Sequence, residues 1–180
     1  INMVALVDGQ PRLLNLKQMI EYFLLHRREV ITRRTVYELR RARERGHVLE
    51  GLAVAIANVD EMIELIKASP TPPIARERLM ERTWRAGVAR EMLARAGNDP
   101  SAYKPEGLEP GVGMLPDDGQ GEGSYRLSET QAQEILQMRL QRLTGLEQDK
   151  IVAEYKDVMA VIEDLLDILA TPERVSTIIG

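Results

Sequence analysis

The sequence predicts an all-α fold, in which a long antiparallel coiled-coil arm ends in a helical globule and follows a short N-terminal β-hairpin. Apolar residues recur in alternating steps of three and four, which is the spacing of a packed helix seam. Aromatic residues are only 4% of the 180 residues, so aliphatic side chains must fill the core. Two long segments of opposite charge lie far apart in the sequence and can pair as neighbouring helices.

Composition narrows the class of protein. Hydrophobic residues at 44% and charged residues at 29% indicate an ordered chain. Cysteine is absent, which excludes disulfides, thiol catalysis and cysteine-ligated zinc. No apolar run approaches the ~20 residues that span a bilayer, so we expect no membrane partner. The chain starts at Ile1 and ends at Gly180 without a stop signal, which leads us to expect a piece of a longer protein.

Residues 1–14 are expected to form a β-hairpin at the end of a preceding domain. Met3 to Val7 and Gln10 to Leu14 are two mostly apolar runs. The Asp8-Gly9 pair between them tolerates the positive φ angles of a two-residue turn. Two strands alone are marginally stable, so the hairpin should belong to a larger sheet.

The arm is predicted from residues 15–45 and 144–170. Asn15 with Gln18, and Thr144 with Glu147, have the spacing of capping boxes that open helices. Segment 26–47 carries eight Arg and three Glu, a formal +5, whereas segment 146–169 carries seven acids and two Lys, a formal −5. Laid antiparallel, the two helices match these charges. Exposed ion pairs contribute about 0–1 kcal/mol each, so they would set register more than stability.

The return helix has the strongest periodic signal in the chain. Its apolar positions are Ile151, Tyr155, Val158, Ile162, Leu165 and Leu169. A further helix is expected to start within residues 171–180, at Thr171-Pro172.

Residues 46–143 are predicted to form the globule at the tip of the arm. A regular apolar seam runs from Leu49 to Ile66, after a bend or break expected near Gly46 and Gly51. Thr71-Pro72 starts a short helix, and another is expected over residues 85–96. Ser128 with Gln131 forms a capping box. Residues 98–123 contain six Gly and four Pro, so we expect a loop or ordered insertion with little regular structure.

We find no pattern of catalytic, cofactor-binding or metal-binding residues. His26 and His47 lie 21 residues apart in the Arg-rich segment, and surface or helix-pairing roles suit them better than catalysis. The glycines of the insertion lack the strand and helix that a phosphate loop needs. The arginines have two interpretations: they pair with the acidic helix, or they face the phosphates of a duplex. The six residues considered for DNA contact are Arg27, Arg28, Arg33, Arg34, Arg40 and Arg41.

Three runs of sequence, in this order, resemble the family of DNA gyrase A subunits, which are components of bacterial type II topoisomerases. They are HRREVITRRTVYELR at 26–40, HVLEGLAVA at 47–55 followed by ANVD at 57–60, and QAQEILQMRLQRLTGLE at 131–147. The resemblance covers nearly the whole chain, although the insertion between about 71 and 125 matches least well.

This resemblance implies a place in an ATP-dependent isomerase that cleaves, passes and reseals duplex DNA to introduce negative supercoils. Partners would be a second copy of the chain, the gyrase B subunit in an A2B2 complex, and the transported duplex, in the bacterial cytoplasm at the nucleoid. Mg²⁺ and ATP would belong to the holoenzyme. The family's nucleophilic tyrosine follows an arginine, and no tyrosine here directly follows one, so this segment is expected to be non-catalytic.

In this family the corresponding segment forms the exit gate, where two globules meet across a two-fold axis. We expect that contact to include Leu49, Leu52, Ala53, Ile56, Ala132, Leu136 and Leu140. The alternatives are a coiled-coil scaffold or adaptor unrelated to DNA, a DNA-binding module that uses the Arg helix, and the topoisomerase IV A subunit.

Overall fold

The computed structural model describes residues 3–94, 100–116, 123–138 and 145–179. The chain divides into two compact units, one of residues 1–39 with 163–180 and one of residues 40–162. The elements are β1 Met3–Val7, β2 Gln10–Leu14, α1 Leu16–Ala57, α2 Val59–Lys67, α3 Pro72–Glu81, β3 Thr83–Arg85, α4 Val88–Ala94, a 3-10 turn Pro100–Tyr103, β4 Gly113–Met114, β5 Ser124–Arg126, α5 Glu129–Gln137, α6 Gly145–Ala170 and α7 Pro172–Ile179. The described residues are thus mostly helical, as predicted.

The first unit opens with the predicted hairpin. β1 and β2 pair antiparallel, and their register runs from Met3 opposite Leu14 to Val7 opposite Gln10. Asp8 and Gly9 have φ angles of 51° and 76°, the left-handed values that a two-residue hairpin turn requires. The predicted hairpin is confirmed, together with its turn.

Helix α1 begins with the predicted capping box. The Gln18 backbone N–H donates to Asn15 Oδ1 at 2.9 Å, and the Asn15 N–H donates to Gln18 Oε1 at 3.0 Å. Two of the orphan donors at the start of the helix are thereby satisfied. Helix α7 starts at Pro172, as expected, and Arg174 on it pairs with Asp164 at 2.8 Å in the same unit.

The first unit covers little apolar surface. Val7, Leu14, Leu39, Leu165 and Ile168 are its buried hydrophobic residues. Many large apolar side chains near its start are open to solvent, and they include Val4, Leu6, Leu13, Leu16, Ile20, Phe23 and Leu25. Its own core is therefore small.

The expected break near Gly46 and Gly51 is wrong, because α1 is one continuous helix from Leu16 to Ala57. Gly51 serves close packing instead, whereas a Cβ at Gly46 would make only ordinary contacts. A Cβ on Gly46 would lie 3.6 Å from Val158 Cγ1 of α6. A Cβ on Gly51 would lie 2.7 Å from Gln131 Cγ of α5, closer than carbon atoms can approach. Tertiary packing outweighs the weak helix propensity of glycine here.

Asn58 divides the apolar seam that the sequence suggested from Leu49 to Ile66. Its backbone, at φ −127°, leaves the helical region and separates α1 from α2. Its side-chain amide donates to the carbonyls of Val54 and Arg85, both at 2.8 Å, and its Oδ1 accepts from the Arg85 N–H. One buried asparagine therefore ends a helix and anchors the strand β3.

The second unit contains a three-stranded antiparallel sheet that the sequence did not predict, in the order β3-β5-β4. Trp84 of β3 and Met114 of β4 both lie opposite Tyr125 of β5. The helix expected over 85–96 is corrected accordingly: Arg85 belongs to β3, α4 spans Val88–Ala94, and residues 95–99 lie outside the described residues.

The described part of the 98–123 insertion holds only short elements, the 3-10 turn and the two-residue β4, in agreement with the expectation of little regular structure. The predicted cap at Thr144 lies outside the described residues, as does residue 140. No helix in the described part of the chain is long and apolar enough to cross a membrane.

The core of the second unit joins α1, α5 and α6 with the small sheet. Leu49, Leu79, Leu127 and Tyr155 are each at most 1% exposed. Of the predicted apolar positions of α6 in this unit, Ile151, Tyr155 and Ile162 are buried, whereas Val158 is half-buried and the neighbouring Met159 is buried. Helices α1 and α6 also meet through an ion pair, Arg45 Nη2 to Glu154 Oε1 at 2.6 Å.

Candidate functional site

An apolar groove of about 240 Å³ lies open on the surface of the second unit, between α2 and α5. One wall is the amphipathic face of α2 and the other is the end of α5. Its lining is almost entirely aliphatic or thioether, with a single charged residue: Ala55, Val59, Met62, Ile63, Ile66, Lys67, Ile135, Leu136 and Met138. Such a patch on a protein surface is typical of an interaction site.

The seven residues expected at a dimer contact fall into three groups. Leu49, Leu52, Ala53 and Ala132 are at most 5% exposed inside the chain's own core. A side chain already covered in this way has almost no surface to offer to a partner, so these four belong to the core of this unit.

Leu136 is half-buried and lines the groove, and Ile56 is half-buried where it packs against the core. Leu140 lies outside the described residues. The residues expected at the contact did not include the α2 side of the groove, formed by Val59, Ile63 and Ile66, although all three belong to the predicted apolar seam from Leu49 to Ile66. Their three- and four-residue spacing was visible, but spacing alone does not separate a core seam from an open one.

The six arginines considered for DNA contact all lie on α1 and are exposed. Three of them pair with acids one turn away on the same helix: Arg33 with Glu29 at 2.6 Å, Arg34 with Glu38 at 2.7 Å, and Arg40 with Glu44 at 3.1 Å.

The arginines of α1 contact several elements besides the acidic helix α6. Arg45 does reach Glu154, but Arg28 donates to Ser176 of α7 at 3.3 Å, and Arg43 donates to the carbonyl of Ala102 at 2.8 Å. Neighbouring acids on α1 reach the arginines at less entropic cost, because they share one rigid helix.

A buried hydrogen-bond network lies behind the groove and centres on Glu50 of α1. The Tyr155 hydroxyl of α6 donates to Glu50 Oε1 at 2.9 Å, and the Tyr125 hydroxyl of β5 donates to Glu50 Oε2 at 3.0 Å. Gln131 Nε2 of α5 donates to the Tyr125 hydroxyl oxygen at 2.8 Å. One carboxylate thus links α6 and β5 to α1 directly, and α5 through Tyr125.

The same network fixes the start of α5. Gln131 Nε2 also donates to the His47 carbonyl at 2.6 Å, and its Oε1 accepts from the Ser128 N–H at 3.0 Å, in the predicted capping box. The Ser128 hydroxyl lies 2.7 Å from His47 Nε2. No buried side-chain nitrogen or oxygen in the described residues lacks a hydrogen-bond partner. His47 is therefore a buried residue that contacts a helix cap, not a surface histidine.

Burial shifts the titration of this network. Desolvation raises the pKa of Glu50 from 4.5 to about 7, although hydrogen bonds from Tyr155 and Tyr125 oppose the shift. Desolvation also lowers the pKa of His47 from 6.5 to about 4, with a smaller contribution from the charge of Lys104. Both residues are consequently favoured in their uncharged forms.

The tyrosines of the network are poor candidates for a nucleophile. Burial, followed by the charge of Glu50, raises the pKa of Tyr125 and of Tyr155 well above the ordinary value. A nucleophilic phenol needs the opposite shift, toward the phenolate. Within the described residues, no cluster of His, Asp and Glu has the arrangement to hold a metal ion.

The network was not predicted as a unit. Its one visible signal was the Ser128–Gln131 capping box. Glu50, Tyr125 and Tyr155 are separated by up to 105 residues, and only the fold brings them together.

Known proteins resemble this chain along its whole length. The family model of the A subunits of DNA gyrase and topoisomerase IV matches residues 1–180. The DNA gyrase A subunit of Pseudomonas aeruginosa is 55% identical over 179 residues, which are 99% of this chain and 18% of that protein. Its counterpart in Aeromonas salmonicida is 54% identical over the same shares.

The DNA gyrase A subunit of Escherichia coli is 54% identical over 155 residues, 86% of this chain and 17% of that protein. The chain thus spans less than a fifth of the length of these curated relatives, and the likeness extends over nearly all of its own length. It belongs to the family of DNA gyrase and topoisomerase IV A subunits.

Proposed function

We propose that this chain is the exit-gate dimerisation region of a DNA gyrase A subunit. In that enzyme, a bacterial type II topoisomerase, one duplex is cleaved and resealed and a second is passed through to introduce negative supercoils. The proposal rests on the family match along the whole chain and on the names of its relatives. The topoisomerase IV A subunit is the less favoured alternative, since the relatives from Pseudomonas, Aeromonas and Escherichia all carry the gyrase name.

The open apolar groove between α2 and α5 is the observation that carries the gate assignment. An exit gate must close and reopen, which calls for a self-complementary surface related by a two-fold axis. The groove supplies an apolar surface that the described part of the chain leaves open, lined by Ile63, Ile66 and Leu136. We assign a second copy of the chain as its occupant.

The antiparallel arm remains part of this proposal, with residues 15–45 and 144–170 as its two helices and the globule of residues 46–143 at its tip. Local contacts support it. Gly46 of α1 lies beside Val158 and Tyr155 of α6, and Arg45 pairs with Glu154.

Catalysis is assigned to the rest of the holoenzyme. ATP and Mg²⁺ would bind the B subunit of an A2B2 complex in the bacterial cytoplasm, and the nucleophilic tyrosine would lie outside this segment. Incubating the chain with duplex DNA, Mg²⁺, ATP and the B subunit should yield no covalent protein–DNA adduct. An adduct to any of its tyrosines would overturn this assignment.

The exposed arginines of α1 support a second role, contact with the backbone of the transported duplex. All six arginines considered for DNA contact are exposed on this helix. Phosphate contacts of this kind need no base specificity and weaken with salt.

Sedimentation equilibrium of the 180-residue chain at micromolar concentration tests the dimer. The chain should sediment at about twice its 20.3 kDa mass. Leu136→Lys and Ile63→Glu should each give a folded monomer, because an unpaired charge would have to be buried in the contact.

Val161→Lys is the matched control, since Val161 is apolar and 50% exposed on α6 but does not line the groove. It should remain dimeric. A monomeric wild-type chain would refute the gate assignment, and a fully dimeric Leu136→Lys and Ile63→Glu would place the contact elsewhere.

A further inference from the structure

A short relay of hydrogen bonds joins Glu50 to the groove. Glu50 accepts from Tyr125, and Tyr125 accepts from Gln131 near the start of α5. One turn further along α5, Ile135 and Leu136 form one wall of the groove. A change at Glu50 therefore reaches the groove wall through two hydrogen bonds and one turn of helix.

Gln131 holds α5 tightly against α1. It is fully buried, and it bonds to the backbone of His47, to the Tyr125 hydroxyl and to the Ser128 N–H. Its Cγ and Cβ would lie within 2.8 Å of a Cβ on Gly51, so the two helices are as close as a glycine allows. A fully satisfied buried network of this kind specifies one arrangement of its elements.

We propose that Glu50 is a positioning residue for the gate, which fixes the position of α5 against α1 through Tyr125 and Gln131. Its ionisation weakens self-association through the groove. The dimer should therefore be tighter in slightly acidic solution than in alkaline solution. This inference rests on the proposed exit-gate function.

Tyr125, Tyr155 and Lys104 act directly on the pKa of Glu50, and His47, Arg43 and Tyr103 are further titratable groups on the same or adjoining segments. His47 and Arg43 lie on α1, at one and two turns before it. Lys104 and Tyr103 belong to the segment around the 3-10 turn, Tyr125 to β5 and Tyr155 to α6. Arg43 is occupied by Glu106 and the Ala102 carbonyl. Lys104 favours the ionised carboxylate, yet burial outweighs it.

The direction of the effect follows from burial. A carboxylate at Glu50 has lost nearly all its water and has two hydroxyl donors in return. Protonation removes the buried charge at the cost of one of these bonds, because the new O–H must donate to a tyrosine hydroxyl that had donated to it. Above neutral pH, conformations in which water reaches Glu50 gain in population. Among those conformations are ones in which α5 moves away from α1, and a displaced α5 no longer presents the same groove wall.

The dimer dissociation constant of the 180-residue chain, measured by sedimentation from about pH 6 to about pH 8.5, spans the raised pKa of Glu50 and tests this. For the wild type it should rise several-fold with increasing pH. Glu50→Gln should flatten the profile, because the amide does not titrate. Glu44→Gln, an exposed position on the same helix, is the matched control and should keep the wild-type profile.

Tyr155→Phe keeps the inference testable where Glu50→Gln folds poorly. Tyr155 donates to Glu50 and opposes the upward pKa shift, so its loss should move the midpoint of the profile to higher pH. A purely structural defect would weaken the dimer at every pH and leave the midpoint in place.

The two proposals fail in different ways. A chain that is monomeric at every pH refutes the gate assignment and this inference with it. A dimer whose dissociation is independent of pH, or keeps its pH dependence in Glu50→Gln, refutes this inference and leaves the gate assignment standing.

Discussion

Replacing Glu50 with glutamine is expected to make the free energy of unfolding depend on the titration of His47, which Glu50 nearly cancels in the wild type. The two side chains lie one turn apart on α1, and burial moves their pKa values in opposite directions, Glu50 from 4.5 up to about 7 and His47 from 6.5 down to about 4. Each pKa unit corresponds to about 1.4 kcal/mol of differential stability.

The two pKa shifts change the free energy of unfolding in opposite directions as the pH falls. His47 has a lowered pKa in the folded chain, so its contribution is fully present above pH 6.5 and is lost as the pH falls toward 4. Glu50 has a raised pKa, so its contribution is fully present below pH 4.5 and is lost as the pH rises toward 7. Going from about pH 7.5 to about pH 5, the titration of His47 should lower the free energy of unfolding by about 2 kcal/mol. The titration of Glu50 should raise it by about 2 kcal/mol.

The two contributions nearly cancel in the wild type and separate in the variants. Relative to the wild type, Glu50→Gln should lose about 2 kcal/mol of unfolding free energy between about pH 7.5 and about pH 5. His47→Gln, which keeps a polar group near Ser128, should gain about the same amount. Comparing each variant with itself at two pH values removes the constant cost of the substitution.

Urea unfolding followed by circular dichroism measures these free energies. Running each titration at two protein concentrations separates any contribution of association, which depends on concentration. Glu44→Gln, on the exposed side of α1, should follow the wild type. If Glu50→Gln and His47→Gln both keep the wild-type difference between the two pH values, neither group is buried uncharged, and the reasoning fails.

Three further predictions concern the core, the cap and the basic helix. Leu49→Ala should cost about 3 kcal/mol of unfolding free energy without changing dimer dissociation, since Leu49 is fully buried; the reverse pattern would place it in the contact. Ser128→Ala should lower the free energy of unfolding by about 2 kcal/mol, measured by thermal or urea unfolding. Thr71→Ala, at an N-cap without a side-chain bond, should lower it much less. Equal effects would show that the capping box does not stabilise the chain. Replacing Arg33 and Arg34 together with alanine should lower the slope of log affinity against log salt for duplex binding by about 2, and an unchanged slope would remove them from the DNA contact.

Local patterns in the sequence were sufficient for several elements. The hairpin with its Asp8-Gly9 turn, the capping boxes at Asn15 and Ser128, and the helix starts at Pro72 and Pro172 agree with the structure. Each depends on residues within a few positions of one another, so the physics that decides it is contained in a short stretch of chain.

Features that depend on contacts between residues far apart in the sequence could not be predicted from it. Gly46 and Gly51 indicated a break, but the helix is continuous, and at Gly51 it packs too closely on α5 to accommodate a side chain. Leu49 and Ile63 share one periodic seam, yet one is core and the other lines an open groove, because periodicity identifies a face without saying what covers it. The sheet partners of Tyr125, and the meeting of Glu50 with Tyr125 and Tyr155, required the complete fold, since hydrogen bonds between residues far apart in sequence form only where tertiary packing brings their elements together.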